Sequence, residues 1–459
     1  MAGIGFELRR LVEGDSVLQK IKGYAAAGMI SSGPWIMTIV TLAVLSVFGP
    51  ELIGQSDYEL FRSIITYAFA YSLIVVGVAQ MAVTRRVADD LYSHRYDRIL
   101  PTFTSTCTAL GALQIVIGSF FCWVAGLPIA LAIVSVSLYV VISLTWIALI
   151  WLSAVKDFAQ ILRSYLMGAL VSLTGTLFAA TSIDLVGLLA MYTAGQALTL
   201  AMMVFQIGRE LHHGDQRDWS AWRCLVRYKN LVVVGLLSNA ALWIDKVVFW
   251  VVDGSGPNRF FRFHPLYDTA CFLAYLTVIP ALAVNLVRVE TNFYERYRAY
   301  FGGIIGGMPY KVILERKGQM LRMLFEGVQG LLRTQGAITF LAIVFAPWIL
   351  KPLDVPDVTT MIFRAACLAS LFHVLLLIVL LIQMYFDFQR EAALTTLVFF
   401  LTNFAGALWS VEAGVWSYGI GYALSSLVTL LVGYGLLKRG LDQLEYLTFT
   451  SQPIIERPS

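Results

Sequence analysis

Residues 231–252 read LVVVGLLSNAALWIDKVVFWVV. As a helix rising 1.5 Å per residue, this run spans about 33 Å, enough to cross a hydrocarbon core of about 30 Å. Lipid offers no partners for backbone N–H and C=O groups, so such a run satisfies them internally, as a helix. Its only charged residues are Asp245 and Lys246.

Apolar runs of similar length recur outward from this one. One covers residues 24–48, and others lie near 61–83, 102–125, 128–152, 161–180 and 185–207. After it come 266–287, 335–351, 361–386, 392–411 and 415–437. The expectation is an all-α polytopic membrane protein with about twelve transmembrane helices. Composition agrees: 58% of the 459 residues are hydrophobic and 14% charged, against about 25% charged in soluble domains. Mean hydropathy is +0.75. A soluble enzyme is excluded, and the short loops leave no room for a separate catalytic domain. The five cysteines lack metal-ligand spacing and read as isolated thiols.

Basic residues orient the chain. With the N-terminus in the cytoplasm, 27 of the 33 Lys and Arg fall in inside segments and five at the outer face. This positive-inside bias places both termini in the cytoplasm. Residues 1–22 read as an amphipathic segment on the membrane surface, anchored by Ile4, Phe6, Leu8, Leu11 and Val12. The first apolar run exceeds the length of a signal-peptide core and reads as a retained span. The loop at 208–229 separates two halves of six spans, 23–229 and 230–437. Within the second half, 288–334 is a basic, amphipathic cytoplasmic segment; 438–459 form a cytoplasmic tail. Gly28-x-x-Ser31 in the first span and Gly235-x-x-Ser238 in the seventh suggest a weak internal repeat, as two-repeat transporters carry.

Charges inside a span are costly, about 2.5–3.5 kcal/mol on insertion scales. Asp245 and Lys246 lie in the outer third, and neighbours on a helix diverge by about 100°. Asp245 therefore shares a stripe with Ser238, and Lys246 with Asn239. This geometry disfavours a mutual ion pair and points at least one charge at another helix or a wet cavity. Lys246 could instead snorkel to the outer surface. Asp245, Lys246, Asn239, Trp243, Asp268, Tyr275 and Asn285 are the substrate or cavity candidates. Asp268, Phe272 and Tyr275 follow helical spacing on one face, where a carboxylate and aromatic rings could bind a sugar. An interfacial aromatic belt is the structural alternative. Ser31, Ser32, Gly33 and Pro34 form a candidate hinge, because proline opens the helix ladder. Gln80, Gln114, Gln196, His373, Gln383 and Asn403 add polar groups that first suggest interhelical hydrogen bonds. No phosphate-binding glycine loop, helical metal pair or Gly-x-Ser-x-Gly elbow occurs. No cofactor, catalytic residue or metal site is expected, and any coupling ion is left unspecified.

The residues Gly23-Tyr24-Ala25, Gly28, Ile30 to Trp35, Trp243-Ile244-Asp245-Lys246, Phe249-Trp250, Pro265-Leu266-Tyr267-Asp268, Phe272 to Thr277 and Val289-Glu290-Thr291 together resemble the PelG family. The resemblance spans the whole chain. It implies two six-helix bundles around a central cavity, in the multidrug/oligosaccharidyl-lipid/polysaccharide exporter superfamily. It implies alternating access, the bacterial inner membrane, and a polymer rich in N-acetylgalactosamine and galactosamine as cargo. It also implies a complex with a cytoplasmic glycosyltransferase, a cyclic-di-GMP receptor membrane protein and a tetratricopeptide-repeat membrane protein, with lipid around it and no nucleic acid. Two other functions fit the residues: a non-transporting scaffold of the synthase, and an ion-coupled small-molecule exporter with Asp245 as protonation site.

Overall fold

The structure is a computed structural model. It describes residues 53–155, 157–180, 184–211, 219–284, 290–353 and 355–450, with Ile39, Thr41, Leu42, Val44 and Leu45 of the first apolar run. The amphipathic segment 1–22, the Ser31–Pro34 hinge and Asn285 fall outside the described residues.

The long helices follow the apolar runs. The first half contributes α1 (Gln55–Tyr92), α2 (Ile99–Val124), α3 (Ile129–Val155), α4 (Phe158–Ala180) and α5 (Leu185–Glu210). The seventh span is α6 (Lys229–Val252), and the eighth is two pieces, α7 (Pro265–Leu276) and α8 (Ile279–Val284). Then come α9 (Glu290–Ile305), α10 (Tyr310–Val344), α11 (Ala346–Leu350), α12 (Asp357–Tyr385), α13 (Gln389–Ala413), α14 (Ile420–Asp442) and the short α15 (Leu444–Thr450). Among the described residues ten helices are long and apolar enough to cross a membrane, or eleven if α10 and α11 count as one bent span. Their outer faces stay apolar: Trp123, Ile129, Phe178, Phe205, Phe340 and Leu431 are all exposed. In water such a surface would aggregate; in lipid it is the solvated face.

One expected span is bent and another is interrupted. The eighth, expected near 266–287, crosses as one span over Pro265–Ala283, with its α-helical ladder interrupted at Thr277 and Val278. Pro280 has no N–H to give the Leu276 carbonyl, and the ladder tightens there, with the N–H groups of Thr277 and Val278 donating to the Ala274 and Tyr275 carbonyls at 3.1 Å. The ninth, expected over 335–351, bends by 71° between α10 and α11, where Pro347 sits in the first turn of α11. The amphipathic stretch before it is one continuous helix with the span. It folds back on α9 across Gly306 and Gly307, the latter at φ +65°.

Packing within the first half runs through α4 on α5, α3 on α5, α2 on α3 and α1 on α3. In the second, α13 packs on α6 and α14, and α12 on α14 and α7. The main seam between them is α1 against α6. Small residues bring backbones together at three points. Gly77 of α1 faces Gly235 of α6, Gly168 of α4 faces Gly195 of α5, and Gly406 of α13 faces Gly421 of α14. The last two pairs join the final two spans of each half, at mid-helix for Gly168 and Gly195 and toward the helix ends for Gly406 and Gly421.

Both ends of the seam carry polar ties. At the arginine-rich end, the Tyr228 hydroxyl, at the start of α6, donates to Asp89 of α1 at 2.6 Å, and Arg85 of α1 reaches Asp387, just past α12, at 3.4 Å. At the other end, the Tyr67 hydroxyl donates to the Arg262 carbonyl at 2.9 Å, and its ring stacks on Trp250 at 4.9 Å.

A methyl group on Gly77 would lie 2.6 Å from the Gly235 carbonyl oxygen, a backbone atom that cannot move alone. Gly77→Ala is expected to cost about 1–3 kcal/mol, the range for overpacking. The purified variant should show a lower thermal midpoint, while Gly302→Ala, where a methyl group meets open space, should not.

Candidate functional site

The seventh span carries its two charges buried. Asp245 and Lys246 are 0% and 1% exposed, seven residues before the end of α6, or roughly 10 Å along its axis. Contrary to the helical-wheel expectation, they pair. The Lys246 ammonium lies 2.9 Å from Oδ2 and 3.1 Å from Oδ1 of Asp245. The expectation treated both side chains as radial spokes. The lysine stem has four methylenes and folds back along the helix, which also brings Nζ to 3.3 Å from the Leu242 carbonyl. Lys246 does not snorkel, because its partners are inside.

Other helices complete the pair. From α7, the Tyr267 hydroxyl donates to Asp245 Oδ2 at 2.7 Å. The rings of Tyr275 and Tyr422 lie 5.3 and 5.5 Å from the ammonium, within cation–π range. Their hydroxyls are 2.7 Å apart, which ties α7 to α14. His373 of α12 packs against both rings, at 6.3 and 5.9 Å. Each of the helices α6, α7, α12 and α14 thus supplies a side chain to one cluster.

Beside this cluster lies a cavity of about 270 Å³. Its polar lining is Ser238, Asn239, Tyr275, His373 and Thr396, set among leucines and Phe399. The interruption in the eighth span opens onto it, through Leu276, Val278 and Ile279. Ile39 brings the first apolar run to its wall. Asn239 is held from behind: its amide donates to the Leu73 carbonyl at 3.1 Å and to Gln80 Oε1 at 3.2 Å. His373 Nδ1 is buried and meets no hydrogen-bond partner among the described residues. No Lys or Arg lines the cavity among the described residues.

Of the candidates named from sequence, Asn239 and Tyr275 line the cavity, and Asp245 and Lys246 stand behind Tyr275. Asp268 lies elsewhere, despite its helical spacing with Tyr275. It accepts from the Trp250 indole at 2.9 and 3.1 Å and from the His264 backbone N–H at 3.0 Å. Trp243 packs between Trp250 and Phe272. Beyond α6, the Tyr418 hydroxyl donates to Asp253 at 2.6 Å and holds that carboxyl below the usual carboxylate range, against a smaller opposing effect of burial. Tyr267, Tyr422 and the part played by His373 were not legible in the sequence. They lie on separate helices, and no local pattern links them to Asp245.

A family model described as "PelG: Putative exopolysaccharide Exporter (EPS-E)" matches residues 1–449. No protein of curated function matches the chain by sequence. Among solved structures, an outward-facing multidrug resistance MATE family transporter of the MOP superfamily is similar in fold. It gives a TM-score of 0.60 at 14% identity, over 95% of this chain and 98% of that one. A variant of the Vibrio cholerae MATE transporter VcmN gives 0.61 at 10% identity, over 93% and 99%. A MOP superfamily transporter from Pyrococcus furiosus gives 0.53 at 15% identity, over 97% and 94%.

Breaking a buried ion pair strands the surviving charge, at about 3–5 kcal/mol. Asp245→Asn and Lys246→Met should each lower the thermal midpoint of the purified protein. The double variant should recover part of that loss, because it strands neither charge. Additive losses in the double-mutant cycle would show that the two side chains do not act as a pair.

Proposed function

We propose, from the premise that the chain belongs to the PelG family of exopolysaccharide exporters, that it moves Pel polysaccharide across the bacterial inner membrane through this cavity. The cargo on this reading is a polymer rich in N-acetylgalactosamine and galactosamine. The family and the MOP-type transporter fold support a transport role rather than a catalytic one. One observation carries the finer reading: a largely apolar cavity beside the interruption in the eighth span, walled by leucines and carrying two hydroxyls, an amide, an imidazole and a phenol. Such groups exchange hydrogen bonds with sugar hydroxyls and acetamides, and a phenol ring offers a stacking face.

Charge supports a neutral cargo. A flippase for diphosphate-linked lipids needs cations in its cavity to offset phosphate. Here the cavity lining carries none among the described residues, and Lys246 is neutralised by Asp245. The glycan therefore crosses in a nearly neutral, acetylated form, and deacetylation follows outside. A cavity of 270 Å³ is slightly below the usual range for ligand sites, about 300–1,000 Å³. It suits one sugar residue at a time, as in a threaded polymer, better than a finished oligosaccharide.

The arginine-rich end faces the cytoplasm on this reading, with both termini there, and the halves 23–229 and 230–437 rock about the α1–α6 seam. The α9–α10 hairpin, with Ile305 and Tyr310 exposed beside Arg298 and Lys311, is the docking side for the glycosyltransferase. The cyclic-di-GMP receptor and the tetratricopeptide-repeat protein complete the complex.

The test is polymer export in vesicles carrying the assembled complex. Ser238→Leu fills the cavity and His373→Phe removes an imidazole from it. Each should lower the transfer of labelled polymer by roughly tenfold, equivalent to about 1.4 kcal/mol in barrier, with complex assembly unchanged. A pure scaffold would keep full export in both.

A further inference from the structure

The Lys246 ammonium has three N–H donors and three oxygen acceptors around it. These are Asp245 Oδ2 at 2.9 Å, Asp245 Oδ1 at 3.1 Å and the Leu242 carbonyl at 3.3 Å. The faces of Tyr275 and Tyr422 close two further sides. The Tyr267 hydroxyl fixes the carboxylate, and the Tyr275–Tyr422 hydrogen bond fixes the rings. The ammonium is thus stripped of water and fully re-coordinated.

Carboxylates, backbone carbonyls and aromatic faces are groups that take the place of water around a dehydrated monovalent cation. Here the cation is covalently attached to the helix that carries the carboxylate. A tethered ammonium spends no translational freedom on binding, and it cannot leave. We infer that Asp245, the Leu242 carbonyl and the rings of Tyr275 and Tyr422 form an intramembrane monovalent-cation site whose permanent occupant is the Lys246 side chain. With Lys246 in place, the site takes up no sodium, potassium or rubidium. The conformational cycle then draws nothing from an ion gradient at this point. Without Lys246, Asp245 is a charge stranded in low dielectric, and the space left by the lysine stem opens to a free ion.

The inference is independent of the cargo, and its test does not need polymer. Binding of radiolabelled sodium and rubidium is measured on the purified, full-length protein in detergent. Wild type should bind neither above the background of the Asp245→Asn/Lys246→Ala double variant. Lys246→Ala should bind one of them stoichiometrically and gain thermal stability as that salt is raised. Lys246→Met, which fills the space with an uncharged chain, should bind less than Lys246→Ala. If Lys246→Ala does not yield monodisperse protein, Lys246→Ser replaces it, and cation binding by wild type still overturns the inference. Sodium or rubidium binding by wild type that disappears in Asp245→Asn overturns the inference. So does a folded Lys246→Ala or Lys246→Ser protein that binds no cation and is indifferent to salt.

Discussion

A carboxylate and an ammonium that cancel each other inside an apolar helix set the terms for what surrounds them. Either charge alone costs several kcal/mol in a low-dielectric interior. Together they carry no net charge, yet they still present polar surface that must be covered. Tyr267, Tyr275 and Tyr422 do this with two hydroxyl hydrogen bonds and two ring faces. The covering draws on α7 and α14 as well as α6, so three helices are tied at one point. The same ties fix Tyr275 on the wall of the neighbouring cavity, where His373 packs against its ring. The electrostatic solution and the cavity lining are thus one construction.

The polar ring around the pair is set in close helix packing. Van der Waals contact and small residues do in lipid what hydrophobic burial does in water. Gly77 against Gly235 lets α1 and α6 touch backbone to backbone, which brings Asn239 within reach of Leu73 and Gln80. The pairs Gly168–Gly195 and Gly406–Gly421 place the same device at the end of each half. Rigid pairs of this kind move as units. The eighth span has its helical ladder interrupted at Thr277 and Val278, just before Pro280, beside the cavity.

Most of the fold was legible in the sequence because lipid imposes a one-dimensional rule. A long apolar run must be helix, and that rule located α2 to α6 and α12 to α14 closely, while α1, expected near 61–83, extends to Gln55–Tyr92. It is silent on bends and local interruptions, where proline position matters more than hydropathy; the 71° bend between α10 and α11 and the two-residue turn between α7 and α8 lay beyond it. The site was partly legible. Asp245 and Lys246 stood out by their cost, Asn239 by sharing a stripe with Lys246, and Tyr275 by helical spacing with Asp268, although Asp268 itself lies elsewhere. The pairing itself was misread, because a helical wheel shows where a side chain starts and not where a four-carbon stem ends. Tyr422 and His373 were invisible as partners, since their meeting with Tyr275 depends on the packing of three helices.

The central claim is that a polysaccharide passes through the cavity beside this pair. The direct measurement is to place a photo-crosslinking amino acid at position 380, where Leu380 lines the cavity, and to irradiate the active synthase complex in membranes. The account expects a glycan adduct on this subunit that requires ongoing polymer synthesis and disappears when Ser238→Leu fills the cavity. Robust polymer export with no adduct at position 380, under conditions where a crosslinker at another point on the export route captures glycan, would contradict it.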